Sequence, residues 1–175
     1  MKKIIAIIAC AGILGIVGLA QAGGEHDWTP YKGTPQFEKL KTLTGTWEGT
    51  SQMGEGDAAP VGIEYSVTSN GSAVVEKLMP GTPSEMVSVY YEENGKLMMT
   101  HYCALGNQPK LELKSSEGNQ LKFSLVKKSA INAKKDLHMH EVVLTFPEDG
   151  KISQSWVSYE NGKPQDPHVF TFTKK

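Results

Sequence analysis

Three stretches hold residues whose types and spacing permit chemistry: LMMTHYCALGNQP (residues 97–109), LHMHEVVLTF (137–146) and PHVFTFTK (167–174). His101 and Cys103 are two residues apart, so on an extended strand they share a side and could form a thiolate–imidazole pair. His138 and His140 have the same spacing. Two imidazoles ~7 Å apart on one strand face can share an ion, and His101, Cys103 or His168 could complete a tetrahedral set. Haem held by one inward histidine is a further option, since non-covalent attachment needs no Cys-x-x-Cys-His motif. Asn107 and Gln108 offer amides that could bond a polar ligand head, although Gly106, Asn107 and Pro109 also suit a plain turn leading into a strand. Catalysis is the weakest of these readings. No third residue is in place to orient a Cys103–His101 pair, and Gly-x-Ser-x-Gly, phosphate-loop and dinucleotide signatures are all missing.

Alternation decides which residues could meet. Leu97, Met99, His101, Cys103 and Leu105 fall on one side of their strand, and that side is the more apolar. His138 and His140 share a parity with Val142, Leu144 and Phe146, and His168 with Phe170 and Phe172. Three strands therefore each place histidine on an apolar face. The pattern predicts a cavity with a polar end and greasy walls, to which Tyr65, Tyr90 and Trp156 add aromatic surface. A core filled by its own side chains, with hydrogen-bonded structural histidines, would give the same pattern. The carboxylates mostly alternate with apolar residues and read as surface positions.

The elements that must position these residues are strands. After Gly45 the hydrophobic period is two. Ten runs follow: TWEGTSQM, GIEYSVT, SAVVEKLM, EMVSVYYEE, KLMMTHYCAL, PKLELKS, QLKFSLVK, LHMHEVVLTF, KISQSWVSYE and PHVFTFTK. Between several of them sit Asn-Gly or Asp-Gly pairs, the strongest short-range hairpin signals. About ten short antiparallel strands in a meander close best as a single up-and-down barrel, because closure removes the exposed edges. An open sandwich is the alternative. Before the strands, Thr34 can cap and Pro35 can open one short helix with Phe37, Leu40 and Leu43 on a single face, ended by Gly45.

The chain has 175 residues. Residues 1–22 read as a signal peptide: a Lys2–Lys3 n-region, an apolar run and an Ala20-Gln21-Ala22 cleavage pattern. A retained anchor and lipid attachment at Cys10 are the competing readings. Residues 23–34 read as a flexible leader, and residues 35–175 as one barrel domain. Export places the protein in the periplasm or outside the cell, where Cys103 is left without an intramolecular disulfide partner. Removing Lys2 and Lys3 from the 18 basic residues leaves 16 against 19 acidic ones, and none of the 18 is arginine. Nucleic-acid binding is therefore not expected. Lys127, Lys128, Lys134 and Lys135 read as a solvated loop, with weak attraction to anionic membranes at most.

The stretch LTGTWEGT puts Gly45-x-Trp47 at the start of the first strand, directly after the short helix. This resembles the opening of a lipocalin or calycin barrel, in which the tryptophan packs across the barrel floor. The resemblance implies structural roles for Gly45 and Trp47. THYCALGNQP, HMH and W-x-x-Y-x-x-G-K (156–163) also resemble stretches of secreted bacterial calycin-like proteins of uncharacterised activity. That likeness implies a fold and candidate positions, not a reaction. Fatty-acid-binding proteins fit less well, since they usually hold a carboxylate with arginine. Nitrobindin-type haem barrels fit less well too, since their Tyr-Pro pair is missing and His168 matches their late histidine only loosely.

The sequence thus leads to an exported barrel binding a small apolar or amphipathic molecule, with enzyme activity left open as the weaker reading. The contact residues would be His101, Cys103, Asn107, Gln108, His138, His140, Trp156 and His168. A divalent metal or haem on the same histidines, with His138 and His140 as first metal candidates, and a filled structural barrel remain the alternatives.

Overall fold

The computed structural model describes residues 28–146 and 148–175, so the signal-peptide cleavage expected after Ala22 lies outside the described residues. The elements are helix α1 (Pro35–Lys41) and strands β1 (Gly45–Met53), β2 (Ala59–Thr68), β3 (Ala73–Leu78), β4 (Met86–Glu93), β5 (Lys96–Tyr102), β6 (Lys110–Glu117), β7 (Gln120–Leu125), β8 (His138–Thr145), β9 (Lys151–Glu160), β10 (Lys163–Pro164) and β11 (His168–Lys174). Every pairing is antiparallel. Strands β1 to β9 pair in succession, β9 pairs β11, and β11 pairs β1. That is a closed barrel of ten strands, with β10 a two-residue extension of the β9 hairpin. All ten strand runs read from the sequence are present.

The hairpin chemistry works as the turn residues require. Asn94–Gly95 and Asn161–Gly162 have positive φ at both central positions, as a type I′ turn demands. Closure between β1 and β11 is tight at Gly49, where a Cβ would lie 1.8 Å from the Thr171 carbonyl oxygen and 2.8 Å from Phe172 Cα. Only glycine allows the two backbones to approach this closely.

Helix α1 closes one end of the barrel. The Thr34 hydroxyl accepts from the Phe37 amide as the N-cap, and Phe37, Leu40 and Leu43 are fully buried against the strands. The helix stops at Lys41 with Thr42 as its C-cap, four residues before Gly45, which instead opens β1 at φ 130°. Trp47 Nε1 donates to the Leu43 carbonyl at 2.8 Å, tying the floor tryptophan to the chain leaving the helix. The approach to the helix is fixed as well: Tyr31 N bonds Asn70 O, and Tyr31 OH and Thr34 N both donate to the Glu92 carboxylate. Phe123, Phe172, Ile152, Leu111 and Leu121, together with Phe170, fill the barrel interior.

Successive hairpins of an up-and-down barrel alternate ends. The helix sits with the β2–β3, β4–β5 and β6–β7 turns. The other end therefore gathers the β1–β2, β3–β4, β5–β6, β7–β8 and β9–β11 connections, and it is there that the barrel opens.

Candidate functional site

Strand register assembles a row that the sequence reading missed. Tyr65 pairs with Glu76, Glu76 with Ser88, and Ser88 with His101, so four inward residues of β2, β3, β4 and β5 stand at one level. Glu76 is completely buried, Ser88 1 % and His101 2 % exposed. The Glu76 carboxylate accepts from Ser88 Oγ at 3.1 Å, from Tyr90 OH at 2.8 Å and from Gln154 Nε2 at 2.8 Å. Gln154 Nε2 also contacts Tyr65 OH at 2.7 Å, and Trp156 Nε1 donates to Gln154 Oε1 at 2.8 Å. A buried charge needs such partners, since leaving one uncompensated is strongly destabilising. Burial raises the Glu76 carboxyl above its ordinary range, against the hydrogen bonds from Tyr90, Tyr65, Ser88 and Gln154. Burial, then the charge of Glu76, lifts both Tyr65 and Tyr90 well above the usual phenol value.

The row ends in an open valence. Ser88 Oγ lies 3.0 Å from His101 Nδ1, and the buried His101 Nε2 has no partner. The hydrogen-bond network assigns the tautomer. With Glu76 ionised, the Ser88 proton goes to Glu76 Oε1, and Ser88 Oγ accepts the Nδ1 proton. Nε2 then carries a lone pair. A proton arriving on Glu76 Oε1 reverses both bonds and leaves Nε2 as a donor. Burial lowers the His101 pKa to about 4, so the ring is neutral in ordinary buffers.

His101 lines a small cavity of about 20 Å³, bounded also by Trp156, Met139, His168, Phe170 and Leu78. That volume admits one water-sized group. The His101 and Trp156 rings are 4.6 Å apart between centroids. Met139, Trp156 and His168 form the boundary between this cavity and a cleft of about 470 Å³ at the open end. Met53 and Ser158 continue the cleft wall, and Glu55, Gln165 and Asp166 form its rim. His168 is half-buried and stacks on Phe170 at 4.3 Å, and burial lowers its pKa.

The structure thus brings His101, Trp156 and His168 together. It separates the other expected residues from them. The β8–β9 register shifts between Met139 and Glu141, leaving His140 as the extra residue of a bulge. Met139 then pairs with Ser158 on the cleft side, while His138 pairs with Tyr159 on the opposite face. Strict alternation, which put both histidines inside, fails at this one residue. His138 Nδ1 contacts the Asp136 carbonyl at 2.7 Å, His138 Nε2 meets His140 Nδ1 at 2.9 Å, and His140 stacks on Tyr159 at 3.9 Å. In that chain each shared nitrogen is already committed to a hydrogen bond. Burial, then His138, lowers the His140 pKa.

Cys103 is 9 % exposed, and burial raises its thiol pKa against backbone bonds from Leu105 and Ala104. His101 Nδ1 faces Ser88 and Nε2 has no partner, so no thiol–imidazole bond forms. Leu105, expected inside, is 46 % exposed because the strand ends at Tyr102 and the chain turns. Asn107 Nδ2 donates to Leu137 O and Gln108 Nε2 to Gly106 O, so GNQP braces the rim of the open end without lining the cleft.

Among the described residues no three His, Cys, Asp or Glu side chains gather where they could hold a metal ion. The space beside His101 Nε2 is far smaller than a haem. No described helix is long and apolar enough to cross a membrane. No protein-family model matches the chain, and no curated protein matches it.

Proposed function

We propose that the protein is an exported calycin-like barrel that binds a small amphipathic molecule at its open end. The observation that carries this reading is His101 Nε2, a buried polar atom without a partner beside a cavity that adjoins the cleft. Buried polar groups are nearly always hydrogen-bonded, and one that is not marks a place for a further group. The ligand's apolar part lies against Met53, Met139 and Trp156, and its polar group bonds Nε2 directly or through one water. The filled lumen favours a site in the cleft over one deep in the barrel. Apolar burial there contributes ~25 cal/mol per Å² before the costs of association. The Gly45-x-Trp47 opening, the preceding helix and the closed ten-strand meander support the calycin-like assignment.

Calorimetric titration with 2-phenylethanol, a neutral donor with an apolar body, tests the site. Binding that weakens about tenfold in His101→Ala, by loss of one buried hydrogen bond, is expected. Binding unchanged in both His101→Ala and Trp156→Phe would overturn the assignment of the cleft. Native mass spectrometry of protein isolated from the periplasm should find a co-purified organic mass on a chain beginning at Gly23.

A further inference from the structure

We propose that the small cavity beside His101 is a copper(I) site, with His101 Nε2 and the thioethers of Met86 and Met139 as ligands and His168 beside them at its mouth. The site does not rest on the cleft reading, since it needs only the cavity behind the cleft. An ion there takes the lone pair that a cleft ligand would otherwise bond, so the two occupants exclude each other at Nε2.

Register builds the cavity as the next layer from the Glu76 row toward the open end. Leu78, two residues after Glu76 on β3, pairs with Met86, two residues before Ser88 on β4. Trp156, two residues after Gln154 on β9, pairs with His168 of β11. The bulge at His140 brings Met139 of β8 to the same space. These side chains and His101 bound one volume of about 20 Å³, which holds a single ion or water and keeps it within reach of every wall. Into that volume His101 brings a buried Nε2 without a partner.

The surroundings of His101 are those of a metal-binding imidazole. With Glu76 ionised, the Nδ1 proton is held by Ser88 Oγ, Ser88 donates to Glu76, and Nε2 presents its lone pair. A carboxylate behind the remote ring nitrogen orients a ligand histidine and raises its basicity. Here it also offsets one positive charge. The sulfur atoms select the metal. Neutral thioethers and imidazole suit copper(I), whereas calcium and magnesium require oxygen ligands and zinc favours thiolate, imidazole and carboxylate. No carboxylate lines this cavity. No third His, Cys, Asp or Glu joins the two histidines, and methionine sulfur completes the set in their place. The Trp156 ring, 4.6 Å from that of His101, supplies an aromatic wall that attracts a cation. Met53 and Met139 line the cleft outside, so soft sulfur also marks the way in.

The test is anaerobic titration of the processed chain with copper(I) in competition with bicinchoninate. Cys103→Ser serves as the parent, because it removes the free thiol and leaves thioethers as the sulfur ligands. It should take one equivalent from the chelator, and X-ray absorption of the loaded protein should show sulfur and nitrogen around copper. His101→Ala should abolish this uptake. So should Met86→Leu/Met139→Leu, which nearly conserves side-chain volume and should leave the fold intact. Ser88→Ala should weaken copper binding roughly 10- to 100-fold, the usual effect of losing a group that orients a ligand. Uptake unchanged in His101→Ala or in the methionine double variant overturns the proposal. Copper without a sulfur neighbour, or zinc(II) held more tightly than copper(I), overturns it as well. Uptake lost in His138→Ala/His140→Ala but kept in His101→Ala would place the ion on β8 and refute the site.

Discussion

Ser88 and His101 stand directly opposite each other across β4 and β5, and their side chains meet at 3.0 Å between Oγ and Nδ1. On its other side Ser88 bonds Glu76, its register partner on β3. A hydroxyl that both gives and accepts one hydrogen bond makes the ionisation of Glu76 and the tautomer of His101 a single variable.

Ser88→Ala should break that coupling. It strands Glu76 Oε1 and His101 Nδ1 in a buried site, at an expected cost of ~1–3 kcal/mol in chemical denaturation. Nitrogen chemical shifts of the His101 ring should then show a mixture of tautomers or a new protonation state. A native-like fold with unaltered ring shifts would show that Ser88 does not set the tautomer.

Glu76→Ala and Glu76→Gln should separate volume and charge from hydrogen bonding. Alanine leaves the Tyr90, Ser88 and Gln154 donors facing a void, and a loss of about 3 kcal/mol or more is expected. Glutamine keeps the shape and one acceptor oxygen, so it should retain most of the stability. Equal losses in the two variants would mean that the network contributes through charge alone.

Acid should destabilise the fold through His101. Its pKa falls from 6.5 to about 4 on folding, so between those values the unfolded chain binds a proton that the native ring refuses. Stability therefore drops as pH falls through that window, by up to about 3 kcal/mol. His140 and His168 are lowered too and act with the same sign. Glu76 acts with the opposite sign: its raised pKa makes the native state bind the extra proton, so its contribution is lost as pH rises. The clean measurement is a difference. His101→Gln should lose less stability than the parent between neutral pH and pH ~4, and parallel curves would refute the assignment.

Gly49→Ala should damage the fold more than any other alanine replacement of a barrel-wall glycine. The new Cβ would collide with the β11 backbone at Thr171, which cannot give way without opening the β1–β11 seam. Gly81, by contrast, has positive φ, at 73°, and nothing lies within 4 Å of a Cβ there. Gly81→Ala should therefore cost only about 1 kcal/mol of backbone strain. Thermal melts of the two variants make the comparison, and similar melting temperatures would contradict it.

Strand positions were legible because period-two patterning and Asn-Gly turns are local signals, and the inward parity read for residues 97–103 and for Phe170 and Phe172 agrees with their burial. Two kinds of information were not local. The bulge at His140 turns on how β8 meets β9, and nothing in HMHEVV marks it, so His138 and His140 were assigned to the wrong face. The Glu76 row was recoverable in part. Glu76 shares its parity with Val74 and Leu78, Ser88 with Met86 and Tyr90, and Gln154 with Ile152 and Trp156, each a polar residue on an apolar face. That the three meet depends on register between strands distant in sequence. GNQP was placed at the correct end of the barrel, but its amides bond Leu137 and Gly106 instead of facing the cleft.

The helix that seals the floor has a kinetic consequence. With Phe37, Leu40 and Leu43 filling one end, the molecule is a well and not a tunnel. On the proposed binding reading, a molecule that enters past Met53 and Asp166 would have to leave by the same door. A long chain could insert only its head and would leave its tail in the solvent or in the hands of a second protein. Transfer between partners would then have to happen face to face at this one rim, with no route for a molecule to be pushed through from behind.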